Sequence, residues 1–450
     1  MRSLILIAAI AMSGCEVPAG TTIESVFSFP HPPKASSLRE STRFSVMSPY
    51  IQRIMTSDGV FFAESDGVYR VDYSGKKTLF VAWSHIPTIG HSIPRHDLWN
   101  IRIDRLSDES LLLSSRGETD YVTYTDAFYF QHISRTGQPL ELIQTRLGTP
   151  RSVRQVQSID SSHALVYGTN GILNFKDKTY IAISQEYPWS ESEPQVVGTH
   201  IVTTDRGAWP DNAGRASILV YDLDGKLSAK RSLDEVAPVQ GISQYSDAHF
   251  ASSVLPLSSR LAGVWIWREA NHYGEHNDKG LTGYYFFAFD LDQIRSTQGL
   301  QLGYTQEIPK LGFSDNRFEM TWLGGLSFVW QAKSKITWKD ALEFTSINNK
   351  KLVMNDLVFK DWQIENSGTS RTDDGSLSLF EYSASQKMSR IQLINPDGAV
   401  RLSEVLPLGD PSSWKAVARH QIFGSHILFE IGDQNVVYEI IDSPKQESSL

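Results

Sequence analysis

Residues 67–82 read GVYRVDYSGKKTLFVA. Two runs rich in Val, Tyr, Leu and Phe flank Asp72-Tyr73-Ser74-Gly75, and the Ser-Gly pair supplies residues that tolerate the positive φ of a tight turn. The stretch reads as two antiparallel strands joined by a hairpin. The same unit returns at AFYFQHISRTGQPLELI (127–143), GILNFKDKTYIAIS (171–184) and SILVYDLDGKLSAKRSL (217–233). Later copies are YYFFAFDLDQ (284–293), ALEFTSINNKKLVM (341–354), SRIQLINPDGAVRLSEVL (389–406) and NVVYEIID (435–442).

These eight units recur roughly every 43 to 68 residues, the spacing of four-stranded β-propeller blades. Two further strand-like runs precede most units, such as WNIRIDRL and SLLLSSR before Ala127. No alternation of strand and helix interrupts the series, which disfavours a parallel α/β fold. The expected fold is all-β, an eight-bladed β-propeller over residues 22–442. A seven-bladed ring with an insertion, or two smaller β domains, are the alternatives. After residue 442 only SPKQESSL (443–450) remains, read as a polar tail, so the last blade is one strand short. The segment 22–29 (TIESVFSF) is predicted to supply that strand by pairing near Val436 and Ile441, because an unclosed ring leaves strand edges exposed. The Pro-rich residues 30–37 (PHPPKASS) read as a connector.

The chain has 450 residues, of which 40% are apolar and 11% aromatic, enough to fill a large core. Lys and Arg number 42 against 51 Asp and Glu, and the net charge of -9 argues against general nucleic-acid binding. One cysteine excludes a disulfide framework and any multi-cysteine metal site.

That cysteine closes the leader MRSLILIAAIAMSGC: Arg2 as the positive end, an apolar stretch too short to span a bilayer, then Ser13-Gly14-Cys15. Met12-Ser13-Gly14-Cys15 resembles the lipobox of bacterial lipoproteins, although such boxes more often carry Leu where Met12 stands. The resemblance implies residues 1–14 as a signal peptide, lipidation of Cys15 after cleavage, and residues 15–21 as a tether of about 20 Å. The mature chain loses the Arg2 charge and stands at -10, so the lipid rather than charge must hold it at a membrane. Glu16 in place of Asp favours the outer membrane, periplasmic face, of a Gram-negative host, or the cell surface of a Gram-positive one. An ordinary secretory signal followed by a buried cysteine is the alternative. Anchor and repeats together resemble, in architecture, the outer-membrane scaffold lipoproteins that assist β-barrel assembly; the repeated Trp of those blades is absent here, and no functional residue is carried over.

In such a ring, loops between the second and third strands, and from the last strand to the next blade, share one face. The longest polar loops fall there, and loops on a rigid scaffold concentrate binding residues. The candidate binding residues are Trp83, His85, His91 and His96 in 83–97, Trp189 in 186–193, Trp209 in 205–214, and His272, Glu275 and His276 in 268–283. His272, Glu275 and His276 match the spacing H-x-x-E-H, but Gly274 and the flanking strands deny it the helix that a zinc protease needs. No metal and no cofactor are expected. No G-x-S-x-G elbow, phosphate loop or dinucleotide fingerprint occurs, so no catalytic residue is named. The two functional readings are a non-enzymatic scaffold holding a protein partner on the loop face, and a glycan-binding or glycan-cleaving protein using Trp189 or Trp209 as stacking platforms.

Overall fold

The computed structural model describes residues 35–48, 50–86, 88–89, 98, 101–148, 153–183, 194–205, 217–232 and 418–442. Between 248 and 406 it describes the strands given below, one helix and Val254. Among these residues, strands pair into eight antiparallel sheets.

The strand β1 (Ala35–Ser45) stands apart from its successors. Sheet 1 holds β2 (Arg53–Thr56), β3 (Gly59–Glu64), β4 (Gly67–Val71) and β5 (Lys77–Ala82). Sheet 2 holds β6 (Ile101–Arg105), β7 (Leu111–Asp120), β8 (Thr125–Ile133) and β9 (Pro139–Gly148). Sheet 3 holds β10 (Gln155–Ser158), β11 (His163–Tyr167), β12 (Gly171–Asn174) and β13 (Thr179–Ala182). Sheet 4 holds β14 (Gln195–Val197), β15 (His200–Asp205), β16 (Ser217–Tyr221) and β17 (Leu227–Ser232). Sheet 5 orders β18 (Ala248–His249), β20 (Leu261–Arg268), β21 (Gly283–Asp290) and β22 (Tyr304–Ile308), with β19 (Leu255–Pro256) beside β20. Sheet 6 holds β23 (Phe318–Gly324), β24 (Ser327–Ala332), β25 (Leu342–Ser346) and β26 (Lys351–Val353). Sheet 7 holds β27 (Asn366–Arg371), β28 (Leu377–Ser383), β29 (Met388–Ile394) and β30 (Val400–Leu406). Sheet 8 runs β31 (Ala418–Phe423), β32 (His426–Ile431), β33 (Gln434–Asp442) and then β1. The eight repeat units read from the sequence each supply the third strand of one sheet.

Sheets stack face to face, so their middle strands are covered on both sides. That is why β3, β16 and β32 are continuous apolar runs with nearly every residue buried. The outer strands β5 and β13 are half-exposed and mix Lys, Thr and Tyr with apolar residues. Between sheets 3 and 4, Leu165, Tyr167 and Ile172 pack against Ile201, Leu219 and Tyr221. Each such buried Leu or Ile contributes about 1.5–3 kcal/mol. The first strands of neighbouring sheets also touch. Arg105 on β6 donates to the Met55 carbonyl on β2 at 3.3 Å, and Gln421 on β31 donates to the Arg53 carbonyl at 2.7 Å. Sheet 5 departs from the hairpin pattern: after β21 comes a short helix, α1 (Leu291–Arg295), which buries Leu291 and Ile294 and packs beside β17. No described helix is long and apolar enough to cross a membrane.

Closure uses the mechanism expected from the sequence but a different segment. β1 pairs with β33 in antiparallel register, Ser37 opposite Ile441 and Arg43 opposite Val436. The partner residues are those predicted. The strand that meets them is Ala35–Ser45, not 22–29, which lies outside the described residues, and Ala35 to Ser37 belong to that strand rather than to a connector. The reason is burial. An outermost strand covers its neighbour with one face only, so it needs few apolar residues: Leu38 and Phe44 point inward while Arg39 and Arg43 stay in water. Charges on such an edge also discourage pairing with other chains.

A repeated contact confirms the role of β1. In sheet 2, a Cβ on Gly137 (φ +83°) would lie 2.4 Å from the Phe80 carbonyl on β5, the outer strand of the preceding sheet. In sheet 1, the corresponding Gly75 (φ +91°) sits against Thr42 of β1, 2.8 Å from where its Cβ would be. β1 therefore stands to sheet 1 as β5 stands to sheet 2, and the ring of a β-propeller is closed by the amino-terminal strand.

Candidate functional site on the loop face

Strand direction sorts every connection onto one of two faces. The turns after first and third strands, such as 57–58, 72–76, 107–110 and 424–425, lie on one. The connections after second and fourth strands, including 65–66, 121–124, 432–433 and the start of the link after β5 at 83–86, lie on the other, the loop face. The link from β1 to β2 opens on the loop face too, because Ser45 pairs with Gln434 at that end of β33. Ala35 pairs with Asp442 at the far end, so the chain enters the ring from the opposite face.

Among the described residues, exposed apolar side chains concentrate on the loop face. Met47 and Tyr50 are 65% and 68% exposed in the link between β1 and β2. Tyr121, Val122 and Tyr124 are 80%, 89% and 69% exposed at the tip of the β7–β8 hairpin. The remaining large exposed apolar residues, Leu79, Leu140, Leu227 and Val405, sit singly on outer strands and need no explanation.

The β7–β8 tip is held from below. Asp120 accepts the backbone N–H of Val122 at 2.9 Å and of Thr123 at 3.3 Å, and the hydroxyls of Thr123 and Thr125 meet at 2.8 Å. The N–H of Val122 and the bonds from Thr123 hold the Asp120 carboxyl below its ordinary range. One step down, the buried Asp126 carboxylate accepts from Thr119 at 2.7 Å and is ion-paired with Arg116 at 2.7 Å. Tyr124 takes a left-handed conformation, φ +51°, which a bulky side chain adopts only under constraint.

Of the residues singled out in the sequence, Trp83 and His85 are described. They bound a single 3₁₀ turn, Trp83–His85, at the start of a loop-face connection. Trp83 is half-buried, and its Nε1 donates to the Glu64 carbonyl at 2.8 Å. Its ring packs beside the core shared by sheets 1 and 2. His85 is exposed. Cys15, His91, His96, Trp189, Trp209, His272, Glu275 and His276 lie outside the described residues. Among the described residues no three His, Cys, Asp or Glu side chains converge as a metal site would require. Asp222 accepts the N–H groups of Asp224 and Lys226, each at 3.0 Å, as a hairpin turn does. The 121–124 tip was not singled out. Its signal is Tyr-Val-Thr-Tyr standing where the turns at 65–66, 168–170 and 432–433 carry Gly, Asp or Asn.

One side-chain chain has the connectivity of a hydrolase triad. Ser110 Oγ lies 2.8 Å from His132 Nε2, and His132 Nδ1 lies 3.0 Å from Glu141 Oε2. The Ser110 hydroxyl is committed, because it donates to Asp108 at 2.5 Å. Burial raises the Asp108 carboxyl, but the side-chain and backbone bonds from Ser110 outweigh it and hold it below its usual range. Ser110 is 1% exposed, and Phe175 of sheet 3 covers His132 with ring centroids 5.0 Å apart. A buried hydroxyl whose O–H is directed at a carboxylate rather than at the imidazole is not activated as a nucleophile. The group fastens sheet 2 internally and against sheet 3.

No protein-family model and no curated protein sequence matches the chain. Among solved structures, a dipeptidyl peptidase 4 of Porphyromonas gingivalis is similar at 10% identity and a TM-score of 0.44, over 87% of this chain and 56% of that one. The β-propeller domain of the Trilobed protease from Pyrococcus furiosus, described as having an open velcro topology, aligns at 11% identity and a TM-score of 0.31, covering 73% and 78%. An apocarotenoid oxygenase of Synechocystis aligns at 11% identity and a TM-score of 0.35, covering 80% and 72%. Their differing activities say nothing of this chain's chemistry, since function resides in sites grafted on folds.

Proposed function

We propose that this protein is a non-enzymatic binding protein of a bacterial envelope, tied to a membrane through a lipid on Cys15 and holding a protein partner on its loop face. The eight sheets are read as eight blades of one ring, a rigid frame for that face. One observation carries the reading: the exposed Met47, Tyr50, Tyr121, Val122 and Tyr124 gather on the face opposite the entry of the chain. Aromatic side chains on a rigid support are favoured binding groups, since they bring area at small entropic cost.

Topology supports the anchor as well. Nineteen residues lie between Cys15 and Ala35, so the leash reaches up to about 65 Å at ~3.3 Å per residue, rather than the ~20 Å expected if 22–29 closed the ring. It enters from the face opposite the binding face and leaves the latter open. The outer membrane remains the favoured site, on Glu16.

Two experiments test the reading. Labelled palmitate should enter the full-length chain and be lost in Cys15→Ser; labelling that survives the substitution overturns the anchor. The full chain, solubilised in mild detergent, should migrate in a complex that Tyr50→Ser together with Val122→Asp disperses. A chain that migrates alone at every detergent strength, or that binds a defined glycan through the loop face, replaces the protein-binding reading.

A further inference from the structure

We infer that Arg102 and Ser114 form a binding site for a carboxylate group where the first strands of sheets 2 and 3 meet. The site goes beyond the loop-face reading and does not depend on it. Arg102 lies on β6 and Ser114 stands opposite it on β7, so both side chains rise from the same face of sheet 2. Asp104 and Leu112 form the next pair along that face. Leu112 packs with Val156 and Val166 of sheet 3, so the face looks toward sheet 3.

The guanidinium is held from one side. Its Nε donates to both oxygens of the Asp104 carboxylate, at 3.1 and 2.9 Å. Asp104 is buried and also accepts the N–H of Val156, so the support of Arg102 is fixed to two sheets. Burial pushes the Asp104 carboxyl up against the opposing pull of Arg102 and that N–H, which makes it an incomplete counter-charge. Among the described residues nothing accepts from the two terminal nitrogens of Arg102, and 28% of its side chain reaches water. Arg53 on β2 is the contrast: it spends both terminal nitrogens on the carbonyls of Ile51 and Gly432. A guanidinium that serves the fold is used in that way, whereas the fork of Arg102 is unspent.

Ser114 is an independent sign. It is 2% exposed, and its Oγ has no hydrogen-bond partner among the described residues. A buried hydroxyl left without a partner is costly, and a ligand oxygen would supply one.

The donors select the ligand. Two parallel N–H groups of an arginine fork match the two coplanar oxygens of a carboxylate, and the serine O–H adds a third donor. With Asp104 beside it, one fork suits a single negative charge rather than the two of a phosphate. The other charged side chains described on this face of sheet 2 are engaged with one another, Arg116 with Asp126 and His132 with Glu141.

The test uses acetate as the probe and acetamide, its neutral isostere, as the control. Each is followed by broadening of its methyl resonance on addition of the full-length chain in mild detergent. Acetate should bind and acetamide should not. Arg102→Lys keeps the charge and removes the fork; it should weaken acetate about tenfold, and Ser114→Ala about threefold. Ser114→Ala removes an unpartnered hydroxyl and should leave the melting temperature unchanged or raised, so it reads binding even where Arg102→Lys fails to fold. No acetate binding by the folded chain, equal binding of acetate and acetamide, or acetate binding that Ser114→Ala and a folded Arg102→Lys leave intact each overturns the inference. Inorganic phosphate that binds more tightly than acetate and is lost in Arg102→Lys overturns the carboxylate assignment.

Discussion

Two regions of the ring treat side chains in opposite ways. At the seam where sheet 8 meets sheet 1, polar side chains are buried and linked by hydrogen bonds. The guanidinium of Arg53, 1% exposed, donates to the carbonyls of Ile51 at 2.5 Å and Gly432 at 2.8 Å and lies 3.4 Å from Glu430. Gln421 bridges the Arg53 carbonyl and Glu430 Oε1, the latter at 2.6 Å. At the β7–β8 tip, apolar groups stand in water. The seam joins the ends of a closed circle, so its polar network acts as a register pin: a shift by one residue would strand a charge in the interior. The tip is tied through its backbone to Asp120 and leaves Tyr121, Val122 and Tyr124 largely exposed.

The seam should break first and hardest. Arg53→Met removes the guanidinium that faces the buried Glu430 carboxylate and should cost about 3–5 kcal/mol in urea unfolding, with much of the loss recovered when Glu430→Leu is added. A single variant costing under ~1 kcal/mol would mean that water reaches the seam.

Next comes acid. Burial drives His420 down to about 4, against the opposing pull of its hydrogen bond to Ser378, so the folded state excludes a proton that the unfolded chain binds below pH 6.5. The unfolded state then holds more protons between pH 6.5 and 4, and stability falls as pH falls through that window, by up to ~3 kcal/mol, with no further loss from this group below it. His420→Gln should flatten that part of the stability curve relative to the parent, while acid loss from the carboxylates persists below it.

At the base of the tip the effect is smaller and local. Asp126→Asn should cost about 1–3 kcal/mol and speed amide exchange at 119–126 while leaving β2 and β31 unchanged, since it removes charge-assisted bonds from a fully buried carboxylate. At the tip itself stability should barely respond. Tyr121→Ser and Val122→Ser should stay within ~0.5 kcal/mol of the parent. Tyr124→Gly should raise stability by about 1 kcal/mol through relief of the left-handed strain. A tip substitution that destabilises by more than ~2 kcal/mol would show that these side chains serve the fold after all.

The strands of the middle layers were legible because face-to-face stacking buries them twice and writes a long apolar run into each. The hairpin turns were legible for a backbone reason, as at Gly75 and Gly137. The closing strand was misplaced because ASSLRESTRFS carries the composition of a solvated edge, while TIESVFSF resembles a buried strand. Tyr and Val near strands suggest core, and only the folded hairpin reveals that the 121–124 side chains project beyond it.

From its residues alone this chain declares antiparallel strands and their eightfold recurrence, because periodicity and turn chemistry are local properties. Which strand closes the ring, which charges meet across the seam and which face displays the tyrosines were decided by tertiary structure. Those contacts join residues as far apart as Arg53 and Glu430, and no local pattern encodes a distance across a circle.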